Sequence, residues 1–209
     1  MKDEVINFAL ECFDVAGVYN VPDQGSNLIL GLETRPERDL DDFGKKDRGI
    51  ELFGFAKYVQ PGLEQVAGKL EKLGVTANIL GKYGYALRGE AGFFNYKIAA
   101  IKAGLGKRGK NTLVINPVFG SRLRFAALRL DTILETAPDE PEDELSPLCR
   151  DCSICIDECP LHILKPCSLM DTAGCLSNIA GDVAEVKDNR FVLCDICLHR
   201  CPANSIGLK

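Results

Sequence analysis

Nine of the ten cysteines in this 209-residue chain lie between Cys149 and Cys201, and their spacing is the strongest chemical signal in it. Cys149-x2-Cys152-x2-Cys155-x3-Cys159-Pro160 offers three closely spaced thiols and a fourth set apart by the longer gap. A second half, Cys194-x2-Cys197-x3-Cys201-Pro202, repeats the Cys-Pro ending with one cysteine fewer. Three thiolates at successive x2 spacing wrap one face of an iron–sulfur cubane, while the fourth turns away to another centre. Paired CxxC motifs also hold zinc. Zinc sites seldom use this run, so iron–sulfur is the expectation.

The run is that of bacterial two-cluster ferredoxins. By their cross-over layout, one 4Fe–4S cluster takes Cys149, Cys152, Cys155 and Cys201. The other takes Cys159, Cys194, Cys197 and one upstream cysteine, either Cys167 or Cys175. Eight cysteines saturate two cubanes, which leaves His162 and His199 as surface neighbours of the motifs. Cys12 stands apart, on the inner side of a predicted helix, as a small buried hydrophobe.

Composition sets the context. Hydrophobic residues at 46% and charged residues at 26% can build an ordinary core. The net charge of −5 argues against a nucleic-acid coat but leaves room for a local basic site. No stretch approaches the roughly 20 apolar residues of a membrane span. Met1-Lys2-Asp3-Glu4 puts acids where a signal peptide carries positive charge. The expectation is a cytoplasmic protein without a membrane. Thiols gathered in a reducing compartment point to metal rather than to disulfides, and the cell expected is an anaerobe.

A second signal is basic. Lys97, Lys102, Lys107, Arg108, Lys110, Arg122, Arg124 and Arg129 occur with no Asp or Glu among them. Within this stretch, Gly104-Leu105-Gly106-Lys107-Arg108-Gly109-Lys110 matches GxGxxG and nearly matches a P-loop. Both motifs need a strand before the glycines and a helix after them. The predicted order here is the reverse, and Asn111 takes the place of the P-loop Ser/Thr. A nucleotide loop is therefore not expected. Lys107, Arg108, Lys110 and Asn111 remain candidates for binding an anion or cofactor, set against a plain solvated face. The acidic linker that follows could fold back on them.

The elements that must position these groups follow from periodicity. Val5, Ile6, Ala9, Leu10, Phe13 and Ala16 predict a helix from Asp3 to Ala16. Residues 27–32 predict a buried strand, and 35–49 a charged loop. Residues 50–73 predict a helix broken near Pro61-Gly62 and stopped at Gly74. Residues 75–80 predict a strand, and 94–103 a helix ended by Gly104. The runs 112–116 and 123–130, around the turn from Pro117 to Ser121, predict a hairpin. The fold class expected is α+β: a small α/β domain over 1–135, an acidic, Pro-containing linker over 136–147, and a two-cluster ferredoxin domain over 148–209.

From Ala100 to Leu113 the sequence resembles the epoxyqueuosine reductases and the related reductive dehalogenases. Both families carry an AGLG–x–x–G–[KR]–N segment, then a strand and a Pro–x–[FY]–G–S turn, here Pro117-Val118-Phe119-Gly120-Ser121. Both then have a CxxCxxCxxxCP module of the present layout. Their second half places an isolated cysteine after a short Asp-containing run, matched by Asp171-Thr172-Ala173-Gly174-Cys175. The resemblance thereby implies Cys175 as the eighth ligand. It also implies a flavoreductase-like α/β domain holding cobalamin, fed by two clusters and reducing an epoxide on tRNA or a carbon–halogen bond.

Three departures temper that implication: a shorter N-terminal region, no C-terminal repeat extension, and Lys82-Tyr83-Gly84-Tyr85-Ala86-Leu87 where an acidic proton donor is expected. Cobalamin is therefore not expected, a flavin could take a smaller pocket, and Tyr83 and Tyr85 are the weak catalytic candidates. The leading expectation is a two-cluster protein that passes electrons to a redox partner protein or acts as a small reductase. Next come a true cobalamin-dependent epoxyqueuosine (tRNA) reductase and a nucleic-acid-associated protein with structural clusters. An anionic small molecule or tRNA would be the ligand.

Overall fold

The computed structural model describes residues 1–21, 23–46, 49–80, 94–136, 144–165, 175, 190–191 and 194–208. Helix α1 (Lys2–Leu10) stops earlier than its apolar spacing predicts, and Val15–Val21 forms strand β1. Valines at 15, 18 and 21 suit a pleated surface. Pairing with strand β2 (Gly25–Glu33), from Val15↔Gly31 to Val21↔Gly25, overrides the helical pattern.

Strand β3 (Phe43–Lys46) pairs with β4 (Gly49–Glu51) inside the stretch predicted to be loop and at the start of the predicted helix. Their few apolar residues carry no period-2 signal. The helix proper begins with a π-helical turn, Phe55–Val59, that runs into α2 (Gln60–Lys72). Pro61 sits in the first turn of α2, directly after the π-helical turn, and no break occurs. Gly74, at φ 76°, ends it as predicted.

Strand β5 (Ala77–Ile79) and helix α3 (Tyr96–Lys102) fall where the pattern puts them. Asn95 caps α3, its side chain accepting from the amides of Lys97 at 3.2 Å and Ile98 at 3.1 Å. The predicted hairpin does not form. Strand β7 (Val114–Ile115) pairs instead with β6 (Lys107–Arg108), and β8 (Leu123–Leu130) enters the main sheet between β2 and β5. That sheet has the antiparallel order β1-β2-β8-β5.

Both of its faces are covered. Leu28, Leu30, Leu128 and Leu130 meet Val5 and Ala9 of α1 and Leu63, Val66 and Leu70 of α2. The alternate residues Ile29 and Ala127 meet Ala99, Ala100 and Ile101 of α3. Each large apolar side chain so buried contributes about 1.5–3 kcal/mol. Gly17 is required where α3 ends on β1, since a Cβ there would lie 2.5 Å from the Ala103 carbonyl oxygen.

The cysteine-rich segment contributes one-turn helices, α4 (Ile154–Asp157) and α5 (Ile196–His199), and strand β9 (Arg190–Phe191), which extends β3. Among the described residues no helix is long and apolar enough to cross a membrane.

Candidate iron–sulfur site

Each Cys-Pro ending follows a single helical turn. α4 and α5 stop within two residues of Cys159 and Cys201, whose successors Pro160 and Pro202 have no amide to continue the helix. Cys155 lies inside α4 and Cys197 inside α5; Cys155 and Cys159 share a buried cluster against which Cys197 packs. Cys149, Cys152, Cys155 and Cys201 line a cavity of about 150 Å³ floored by Ile115 and Ala203. Among the described residues no three His, Cys, Asp or Glu side chains converge tightly enough for a single metal ion. The thiols surround a space rather than a point.

The thiols are close enough to raise one another's pKa values. Burial pushes the Cys155 thiol up to about 11, helped by Cys201, Cys149 and Cys152. Burial likewise pushes Cys197 up to about 11, and Cys175 and Cys194 are the next largest causes, ahead of Cys155 and Cys159. Cys175 is raised by burial, then by Cys194 and Cys159, while Lys97 opposes the rise. Cys175 and Cys194 pack, with Phe55, against the buried pair Phe43 and Leu52. Such crowded, desolvated thiols resist ionising without a positive centre between them. A cluster's iron would supply that charge, so the donor set fits a 4Fe–4S group.

The glycine-rich loop is spent on this segment. Lys110 Nζ donates to the carbonyls of Cys152 at 2.8 Å and Arg150 at 3.2 Å. Asn111, 2% exposed, donates through Nδ2 to the Cys197 carbonyl at 3.0 Å. Lys107 pairs with Glu144 at 2.5 Å, and the Arg108 amide donates to the Glu144 carbonyl, so the end of the acidic linker does fold back. Further along, Arg124 grips Asp41 with two bonds and Arg129 donates to Asn27 and Gln24.

Several contributors carried little sequence signal. Arg122 is buried, donating to Glu33 at 2.7 Å and onward to the carbonyls of Asn204 and Ile206, just past Cys201. The Pro117–Ser121 turn is closed by Asn116, whose Oδ1 accepts from the Val118 and Phe119 amides. Gly120, at φ 56°, meets the same tail: a Cβ there would lie 1.7 Å from the Ala203 carbonyl oxygen. Lys97, noticed only as one base in a run, is half-buried, with Nζ 3.3 Å from Thr112 Oγ1. Burial lowers its pKa first and Arg124 further, against Cys197 and Cys175.

His199 is exposed and sits 2.7 Å from Asp195. Cys12 lies just past α1, half-buried against the main core, its thiol raised by burial. Tyr83, Tyr85 and Cys167 lie outside the described residues.

The sheet and the thiol-rich segment together make the mixed helix-and-sheet fold of a known group of reductases. An epoxyqueuosine reductase structure superposes with a TM-score of 0.68 at 18% identity, covering 98% of this chain and 65% of that one. A catabolic reductive dehalogenase in complex with 3-bromo-4-hydroxybenzoic acid gives 0.66 at 15% identity, covering 96% and 31%. An epoxyqueuosine reductase with an epoxyqueuosine-modified tRNA stem loop gives 0.66 at 18%, covering 98% and 65%.

In sequence, the epoxyqueuosine reductase of Staphylococcus aureus is 33% identical over 122 residues, 55% of this chain and 31% of its own length. That of Prochlorococcus marinus is 27% identical over 188 residues, 86% of this chain and 57% of its own. No family model matches. The chain is thus similar in sequence to epoxyqueuosine reductases and in fold to them and to a reductive dehalogenase, and it spans between about a third and just over half the length of these two relatives.

Proposed function

We propose that this chain is an iron–sulfur oxidoreductase holding two 4Fe–4S clusters. Cys149, Cys152, Cys155 and Cys201 hold one, and Cys159, Cys175, Cys194 and Cys197 the other. The observation that carries the reading is the cavity lined by Cys149, Cys152, Cys155 and Cys201, with Cys175 and Cys194 packed together against a separate apolar pair, Phe43 and Leu52. When bound, the clusters supply reversible one-electron storage. The chain's own residues do the rest. Lys110 and Asn111 fasten the two cysteine loops to the sheet domain, Arg122 and Gly120 fix the segment after Cys201, and Phe43, Leu52 and Phe55 keep water from Cys175 and Cys194. Electrons enter from a redox partner protein and leave toward the N-terminal half or a second partner. The test is anaerobic reduction of the holoprotein followed by mixing with an artificial one-electron acceptor. Stoichiometric reoxidation supports the reading, and clusters that neither take nor release electrons oppose it.

A second reading is a cobalamin-dependent epoxyqueuosine reductase acting on tRNA. It is supported by the likeness, across nearly the whole chain, to a reductase solved with a tRNA stem loop. Incubation with cobalamin and with flavins, then removal of free ligand, separates the two. Stoichiometric corrinoid retention, with conversion of an epoxyqueuosine-containing tRNA fragment, selects the second reading. A nucleic-acid binder with structural clusters is least supported, because Lys107, Arg122, Arg124 and Arg129 are engaged within the protein.

A further inference from the structure

One segment touches both thiol sets. It begins in α3 with Lys97 and ends at Lys110 and Asn111. Lys110 places its ammonium on the loop of the first set, bonded to the Cys152 carbonyl at 2.8 Å, and lines the cavity those four thiols surround. Lys97 reaches toward the second set through the neighbouring loop residues. Its ammonium bonds Thr112, and the adjoining Asn111 side chain holds the Cys197 carbonyl. Arg124, the other cation facing Lys97, is itself matched by Asp41 at 2.6 Å.

We propose that Lys97 and Lys110 set the reduction potentials of the two clusters, each ammonium raising the potential of the cluster whose thiols it faces. This rests on the thiol sets holding clusters. Reduction adds one electron to a 4Fe–4S cluster and makes it more negative. A fixed positive charge nearby stabilises the reduced form. The effect is larger where the charge is screened less by water and salt. Lys97 is half-buried, and its bond to Thr112 is partly shielded from solvent. Lys110 has one of its two bonds at the exposed surface. Both lysines are half-buried, but the exposed bond of Lys110 makes its effect the more salt-dependent of the two.

The test is an anaerobic redox titration of the full-length holoprotein followed by EPR, with iron and sulfide measured first. Cys175→Ser, which leaves the first cluster alone, assigns the signals. Lys97→Met is expected to weaken reduction of the second cluster about tenfold, or ~59 mV for one electron, leaving the first within twofold. Lys110→Gln keeps a donor but loses the charge. It is expected to weaken reduction of the first cluster severalfold at low salt and much less at high salt, and Lys110→Arg restores it. Shifts below twofold in both variants, or equal shifts of both clusters from either one, overturn the proposal. If Lys97→Met loses its cluster, Lys97→Gln is read in the same way. Loss in both makes Lys97 structural and overturns its half. A wild-type protein without clusters instead overturns the underlying reading.

Discussion

Replacing Arg122 with methionine removes one member of a buried ion pair, and the cost can be worked from its surroundings. The Arg122 and Glu33 side chains are 8% and 6% exposed. Stranding one partner of such a pair costs about 3–5 kcal/mol. Arg35 still reaches Glu33 at 2.5 Å, but it is largely solvent-facing and recovers little. The carbonyls of Asn204 and Ile206 also lose their donor. At this chain length each kcal/mol lowers the midpoint by about 2–4 °C, so Arg122→Met should melt about 6–20 °C below wild type. Circular dichroism melts of anaerobic holoprotein read this directly. Adding Glu33→Gln should return part of the loss, since no unpaired carboxylate then remains buried. A single-variant shift under about 3 °C would refute the reasoning.

The same pair sets a pH dependence. Burial pushes the Glu33 carboxyl up, but hydrogen bonds from Arg122 and Arg35 outweigh it and hold the group below its ordinary value. A depressed carboxylate contributes stability that is complete above its unfolded value of about 4.3. That stability is lost as pH falls through the folded value. The gap between wild type and Glu33→Gln should thus be constant near neutrality and close on acidification below about pH 4; a gap that widens in acid contradicts the sign. Cys175→Ser should abolish one EPR cluster signal while Cys167→Ser leaves both, and the opposite result overturns the ligand assignment. Gly120→Ala forces a Cβ onto the Ala203 carbonyl at a positive φ and should cost at least about 1–3 kcal/mol, read as a lowered midpoint and faster iron release. Asn111→Leu orphans the Cys197 carbonyl and should make the Cys175-containing cluster the first lost in air, followed by visible bleaching.

How much of this was legible in the sequence depended on whether the information was local. The helices over 60–72 and 96–102 and the stop at Gly74 follow from apolar spacing and glycine placement. The switch from α1 to β1 does not, because Val15–Val21 becomes a strand only through pairing with β2. The false hairpin arose the same way: β7 and β8 each look like strands, but their partners, β6, β2 and β5, lie elsewhere in the chain. At the site, the cysteine spacing carries the iron–sulfur expectation, whereas the basic run conveys only charge. Which of its members would be buried against Glu33, tied to Asp41 or fastened to cysteine loops depends on the tertiary fold. The rejection of a P-loop needed only element order: α3 precedes the glycines, and a strand, β7, rather than a helix follows them.

The central claim is that eight cysteines hold two clusters, and metal analysis of protein purified without oxygen tests it most directly. The account predicts about eight iron and eight acid-labile sulfide per chain. Stoichiometric zinc with no sulfide contradicts it.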